Sequence, residues 1–246
     1  MPAEISLFHL LLANLVVLLG SCLQGVAGYG IGTLAAPLLF LISPLFIPGP
    51  LTLNAAVLSV LMLVRNRTSI RFREVRFAIG GGLAGTVLAG LTLLVISPTG
   101  FELAFGALIL VAVVLSVAGL KPRLNARNSV IAGAASSYMG TITAVGGPPI
   151  AMVYQNEKGP VARANLSAFF LFTNAFVIAT LFFSGYLGVR ELWLAAALMP
   201  GVFIGFWLSA HLVNRLPFTA MRPIILSIAA AAGLAALVRG LLSLWG

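Results

Sequence analysis

Long apolar runs, separated only by short polar breaks, constrain what this chain can fold into more than any other feature of its sequence. Of its 246 residues, 61% are hydrophobic and 8% are charged, whereas soluble domains have about 25% charged residues. Because a helix needs about 20 apolar residues to cross a bilayer, we predict one all-α, polytopic transmembrane domain over residues 1–246. The predicted apolar segments are residues 7–27, 31–46, 50–64, 77–97, 101–119, 129–144, 147–155, 164–184, 191–213 and 219–244. A hydropathy count would merge some of these segments and report about eight.

The placement of charges predicts the orientation. Basic loops lie at residues 65–76 and 121–127, and the connection between them, at 97–100, has no cation. The positive-inside rule puts both basic loops in the cytoplasm, and counting the crossings puts both termini outside. The same rule explains the formal net charge of +9, so no nucleic-acid partner is expected.

The two halves resemble each other at a spacing of about 120 residues. Asn54-Ala55 recurs as Asn174-Ala175, and the small-residue pair Gly81/Gly85 recurs as Gly201/Gly205. Chance matching between apolar stretches is the alternative. Each half contains an odd number of net crossings, so the duplication predicts two inverted repeats, residues 1–122 and 123–246.

Two breaks rich in glycine or proline interrupt the apolar runs, one in each half, at residues 25–32 and 140–149. Non-helical backbone at membrane depth is tolerated only inside protein or beside a water-filled cavity. A helix that begins at such a break presents free N–H groups and a partial positive charge, which together favour an anion. We predict that the two helix starts, one in each half, face one central cavity. The alternative is a pair of kinked, tightly packed helices without a ligand.

Polar and small residues cluster at the two breaks and make up most of the candidate substrate-binding set. A Ser or Thr in an apolar helix often only bonds the preceding carbonyl, and a buried Asn can simply join two helices. The candidates are Ser21, Gln24, Gly28, Tyr29, Gly30, Gly32, Asn54, Ser136, Ser137, Tyr138, Thr141, Thr143, Gly146, Gly147, Pro148 and Asn174.

The motifs at the breaks resemble those of the TauE/SafE family of sulfite exporters and toluenesulfonate-uptake permeases. They are Gly-Tyr-Gly-Ile-Gly at 28–32 followed by Pro37, and Gly140 followed by Gly-Gly-Pro-Pro at 146–149. Ile31 departs from the family, which usually has a third consecutive glycine there. The resemblance implies a carrier in the bacterial inner membrane for sulfite, sulfonates, sulfoacetate or a related small anion. It also adds Arg163, a basic residue after the second motif, which would attract anions or act only as a positive-inside anchor.

Alternating access between the inverted repeats is the predicted mechanism, and a passive anion channel is the alternative. A membrane-embedded enzyme is the less favoured reading, because both histidines lie near segment ends and all five glutamates lie in loops or at helix ends. No catalytic residue, metal or cofactor is therefore expected. The sequence leaves the oligomeric state, the direction of transport and the coupling ion open.

Overall fold

The computed structural model describes residues 5–28, 30–213 and 218–245. Within these residues the chain is helical and has no strand, which confirms the prediction of an all-α polytopic membrane protein. Among the described residues, seven helices are long and apolar enough to cross a membrane, compared with the expected count of about eight. The helices are α1 (Leu7–Ala27), α2 (Gly32–Ile42), α3 (Gly49–Asn66), α4 (Phe72–Val95), α5 (Pro98–Val117), α6 (Ala126–Thr143), α7 (Gly147–Tyr154), α8 (Gly159–Phe183), α9 (Val189–Leu212) and α10 (Phe218–Trp245).

Several helices begin at residues with well-understood capping chemistry. The Ser97 hydroxyl accepts a hydrogen bond from the Gly100 amide at the start of α5. The Asn125 side chain accepts one from the Asn128 amide at the start of α6. Each cap satisfies a backbone N–H that has no partner inside its own helix, so these helix starts follow from local sequence.

Large apolar side chains cover the outside of the helix bundle, whereas buried positions include many Ser, Thr and Asn residues. Val95, Phe183 and Trp193 are 85%, 82% and 72% exposed, respectively. Such a surface suits lipid and would be unfavourable in water. The polar groups are therefore kept inside the bundle, where other protein groups can pair with them.

The packing of the helices has a regular pattern. α1 packs on α9, and α6 packs on α4 in the corresponding way. Likewise, α3 packs on α9 and α8 packs on α4, while α3 and α8 pack on each other. These five contacts map onto one another when the first five helices are exchanged for the last five. An inverted duplication of residues 1–122 and 123–246 predicts this arrangement, and the duplication itself stays a prediction.

Small residues allow the closest helix contacts. Gly81 and Gly85 of α4 lie against the backbone of Val130 and Ala134 of α6, where a Cβ atom would overlap a carbonyl oxygen. The pair Gly201/Gly205 of α9 lies against α1 in the same way. In lipid, where water exclusion does not drive helix association, such close packing holds helices together.

Candidate functional site

The two breaks each form a re-entrant pair of helices, and the pairs enter from opposite sides. At the end of α7, the Gln155 side chain donates to the Leu120 carbonyl, 2.8 Å away, beside the start of α6. α6 and α7 thus enter and leave from one side. α1 runs parallel to α9, and α3 starts with Gly49 against the Tyr186 carbonyl in the turn before α9. α1 and α2 therefore enter and leave from the other side.

The two breaks meet inside the helix bundle. The residue that caps the end of α1 is Gly28, with a left-handed φ of 89°, and the residue that caps the end of α6 is Ala144, with φ 59°. Gly32, at the start of α2, packs directly on the Ala144 carbonyl, so that a Cβ atom would overlap it. A Cβ atom on Gly30 would lie 3.6 Å from the Cα of Gly147, at the start of α7. The breaks predicted to share a site are therefore in direct contact.

A small cavity of about 30 Å³ lies where the breaks meet. One water needs about 10–15 Å³ by the same measure, so the cavity has room for a few heavy atoms. No Asp, Glu, Lys, Arg or His side chain lines it among the described residues. Eight of the predicted site residues do line it, namely Gln24, Gly30, Gly32, Ser136, Ser137, Gly146, Gly147 and Asn174.

The cavity wall holds two buried hydroxyl groups that have no hydrogen-bond partner. They belong to Thr52 on α3 and Ser137 on α6, whose residues are 2% and 4% exposed. Leaving a buried hydroxyl unpaired costs about 1–3 kcal/mol. A polar guest in the cavity would remove that cost by accepting hydrogen bonds from both groups.

Backbone amides from both breaks add to this set of donors. Within the described part of the chain, the N–H groups of Gly32 and Gly147 have no hydrogen-bond partner. Gly32 is the first residue of α2 and Gly147 is the first residue of α7, so each amide lies at the positive end of a helix dipole. The two amides and two hydroxyls come from four helices around one small space, a combination that suits an anion.

Side chains form hydrogen bonds with the backbone of both breaks, and these bonds reduce the number of free backbone amides. Gln24 accepts a hydrogen bond from the Ile31 amide at 2.5 Å, and Thr143 accepts one from the Val145 amide at 3.0 Å. The Ser136 hydroxyl donates to the Gly146 carbonyl. The second and third residues of α7 are prolines, which have no N–H. Each helix start therefore offers fewer amides than its position alone suggests.

The remaining predicted residues that the structure describes do not line the cavity. Thr141 donates to the Ser137 carbonyl at 2.7 Å, which is the ordinary role weighed for a Ser or Thr in an apolar helix. Asn54 donates to the carbonyls of Pro50 and, across to α9, Ala195, so it joins helices. Four more of the predicted residues do not line the cavity: Ser21 is buried in α1, Tyr138 forms a hydrogen bond with Thr92, Thr143 bonds the backbone of its own break, and Pro148 lies in the first turn of α7. Tyr29 is not among the described residues.

Sequence reasoning missed several residues of the wall. Thr52 and Ser59 of α3 and Thr173 of α8 line the cavity together with Phe169 and Phe170. A signal was present, because Thr52 and Ser59 are seven residues apart in an apolar run and so share one helix face. The phenylalanines give no such signal, since apolar residues occur all round these helices.

Two arginines flank the end of α1 next to the first break. Arg163 lies across Gly28, so that a Cβ atom there would be 2.9 Å from its Cγ. Arg65 donates to the Gly25 carbonyl at 2.7 Å and to the Ser209 hydroxyl at 2.8 Å. Neither guanidinium forms an ion pair with a carboxylate of the described residues. Arg65 was read from the sequence only as part of a basic loop, so its contact with the break was missed.

The described residues contain no group of three or more His, Cys, Asp or Glu that could hold a metal ion. Cys22, the only cysteine of the chain, is buried in α1. The cavity wall offers hydrogen-bond donors from hydroxyl and amide groups.

The comparison with known families gives one match. A family model described as sulfite exporter TauE/SafE matches residues 13–236, which include both breaks and every residue named on the cavity wall. Comparisons with curated proteins and with solved structures gave no match.

Proposed function

The chain belongs to the sulfite exporter TauE/SafE family, and we propose that it carries a small sulfur oxyanion such as sulfite through the cavity at the two breaks, by alternating access between inverted repeats. The observation that carries this proposal is the cavity wall, where unpartnered hydroxyls of Thr52 and Ser137 accompany free amides of Gly32 and Gly147. Families of transporters with inverted repeats and broken helices bind substrate in such a place. The wall is the substrate site, and no catalytic step is assigned to it.

The absence of charged side chains from the described wall suits a carrier rather than a tight binder. Neutral donors stabilise an anion through hydrogen bonds and helix dipoles. A guanidinium in the same small space would hold the anion much more strongly and slow its release. The anion is therefore bound firmly enough to be selected and weakly enough to leave.

The size of the cavity favours a compact oxyanion over an organosulfonate. At about 30 Å³ it has space for only two or three water-sized groups. Sulfite, with four heavy atoms, is the candidate closest to that limit, whereas the carbon skeleton of toluenesulfonate or sulfoacetate would have to displace Phe169 or Phe170 from the wall. Sulfite is accordingly the substrate that we propose first.

Arg163 and Arg65 support an anion path on one side of the site. Both lie next to the end of α1 and lack a carboxylate partner among the described residues. α3 ends at the basic loop of residues 65–76, which the positive-inside rule assigns to the cytoplasm. The start of α8 lies beside the same loop, because Asn165 accepts a hydrogen bond from the Arg71 amide. We propose that the protein lies in the bacterial inner membrane with both termini outside, and that anions reach the cavity past these arginines.

Sulfite flux into proteoliposomes tests the proposal directly. Thr52→Val removes an unpartnered hydroxyl from the wall, and we expect at least a tenfold loss of flux, because one donor to an anion contributes about 1.5–3 kcal/mol. Thr86→Val is the matched control, since the Thr86 hydroxyl is also buried and unpartnered but does not line the cavity. Equal losses in the two variants, or no sulfite flux above that of empty liposomes, would contradict the proposed site.

The same vesicles separate a carrier from a passive channel. A carrier saturates with sulfite and is inhibited by a competing anion, because each cycle moves only what is bound. A channel of this cavity size would show flux that keeps rising with concentration. Saturation with competition is the result that alternating access predicts.

A further inference from the structure

A second, larger depression lies on the outside of the bundle, between the end of α5 and the pair α6/α7. It measures about 500 Å³ and is lined mainly by apolar side chains, among them Leu115, Ile131, Ala135 and Met152. It shares no lining residue with the central cavity. Ile131 is 57% exposed, which shows that this groove opens to the surroundings of the bundle.

Basic side chains lie at one end of the groove. Lys121 lines it directly, Arg123 belongs to the same connection between α5 and α6, and Arg127 lies in the first turn of α6. None of the three forms an ion pair among the described residues. The sequence also has no acidic residue between Glu102 and Glu157, so this end of the groove is positive without a counter-charge from its own segment.

We propose that the groove binds one anionic phospholipid, with an acyl chain along the apolar wall and its phosphate beside Lys121. The groove opens among helices whose exposed side chains are apolar, so hydrocarbon rather than water is its natural filling. Basic pockets between membrane helices bind acidic head groups, and juxtamembrane Lys and Arg residues attract acidic lipid. The apolar wall and the unpaired cations thus match the two ends of the same molecule.

The bound lipid supports the short helix α7. Pro149 and Met152 of α7 line the groove, while Gly147, the first residue of the same helix, lines the central cavity. With only eight residues, α7 is too short to be stable by itself and depends on what packs against it. Protein contacts already bury six of the eight residues of α7, and an acyl chain in the groove adds to the contacts that support the helix carrying Gly147.

Lipid binding to the purified full-length chain in detergent tests this inference. Native mass spectrometry counts bound dioleoylphosphatidylglycerol against dioleoylphosphatidylcholine, and we expect the anionic lipid to bind at least fivefold more tightly. Lys121→Gln should remove about fivefold of that preference, the effect of one cation near an acidic surface. Ala135→Phe, which fills the groove, should weaken binding of both lipids.

The matched control is Arg73→Gln, which removes an exposed arginine from the other basic loop and should leave the preference unchanged. Equal affinity of the wild-type protein for the two lipids would overturn the inference. An equal effect of Lys121→Gln and Arg73→Gln would overturn it as well, because general surface charge would then explain the binding. A cooperative thermal unfolding transition in each variant checks that the variant is folded. If Ala135→Phe does not fold, the comparison of Lys121→Gln with Arg73→Gln still tests whether the groove prefers the anionic lipid.

Discussion

At the scale of single residues, Gly32 is the most constrained position of the site. Its Cα packs on the Ala144 carbonyl of the opposite break, and a Cβ atom has no space there. The contact joins the two halves of the chain at the cavity itself. Any side chain at position 32 must therefore push the breaks apart and change the shape of the wall.

We expect Gly32→Ala to abolish sulfite flux and to lower the unfolding temperature, since forcing a methyl group into a packed interior costs about 1–3 kcal/mol. Gly80→Ala is the control, because a Cβ atom on Gly80 of α4 meets nothing within 4 Å. In a helix, alanine is favoured over glycine by about 1 kcal/mol, so this variant should be at least as stable as the wild type. Thermal unfolding and flux, measured on both variants, check the pair; normal flux in Gly32→Ala would show that the breaks need not touch.

Arg163 supports a prediction about the path of the anion. If its guanidinium attracts anions, Arg163→Gln should lower the initial rate of flux by about tenfold at low ionic strength, where electrostatic steering is strong. The loss should shrink in high salt, because the Debye length falls to about 3 Å at 1 M. Arg163→Lys keeps the charge and should retain most of the rate. A loss that is independent of salt would instead point to a purely structural role beside Gly28.

The sequence predicted which residues surround the breaks better than which way their side chains point. Ser136 and Ser137 line the cavity, but Thr141 of the same helix turns to the Ser137 carbonyl. A membrane helix that is apolar on all sides gives little indication of its rotation, because lipid and protein interior are equally apolar. For that reason Thr52 was missed and Asn54, two residues on, was included.

At the scale of helices, hydropathy located every segment but shortened those with charged ends. The predicted segment from residue 164 is α8, which begins at Gly159, and the one from 77 is α4, which begins at Phe72. The omitted turns contain Arg163 and the basic residues after position 70. Such side chains extend towards the interface while their backbone stays helical, so an apolar run measures the hydrocarbon span and not the helix.

Thr143 shows how one side chain supports a whole re-entrant pair. Its hydroxyl accepts from the Val145 amide and donates to the Met139 carbonyl at 2.7 Å, and so holds the turn between α6 and α7. We expect Thr143→Ala to lower stability by about 1–3 kcal/mol, because a buried N–H loses its partner, and to reduce flux in parallel. Thr143→Ser keeps the hydroxyl and should behave like the wild type in thermal unfolding. Full stability in Thr143→Ala would show that the turn does not depend on this bond.

At the scale of the whole molecule, the packing pattern and the meeting of the breaks have one explanation. α1 and α2 enter from one side, α6 and α7 enter from the other, and their tips touch at the cavity. Residues 1–122 and 123–246, the repeats predicted from the spacing of Asn54 and Asn174, each contribute one tip. The sequence predicted a cavity shared by the two breaks, but it could not predict that the tips touch, because that depends on how far each re-entrant pair reaches into the bundle.

The neutral wall leads to a prediction for transport across the whole membrane. Because no titratable side chain lines the cavity among the described residues, we expect an anion to cross with its own charge and without a protein proton. An inside-negative potential should then drive export, since each charge gains about 2.3 kcal/mol per 100 mV, equivalent to an accumulation ratio of about fifty. Sulfite flux from proteoliposomes, under an imposed potassium diffusion potential and equal pH on both sides, measures this directly. If the flux did not change with voltage but did change with a pH gradient, a proton would have to move with the anion. His211 on α9 and the anion itself would then be the groups to examine as carriers of that proton.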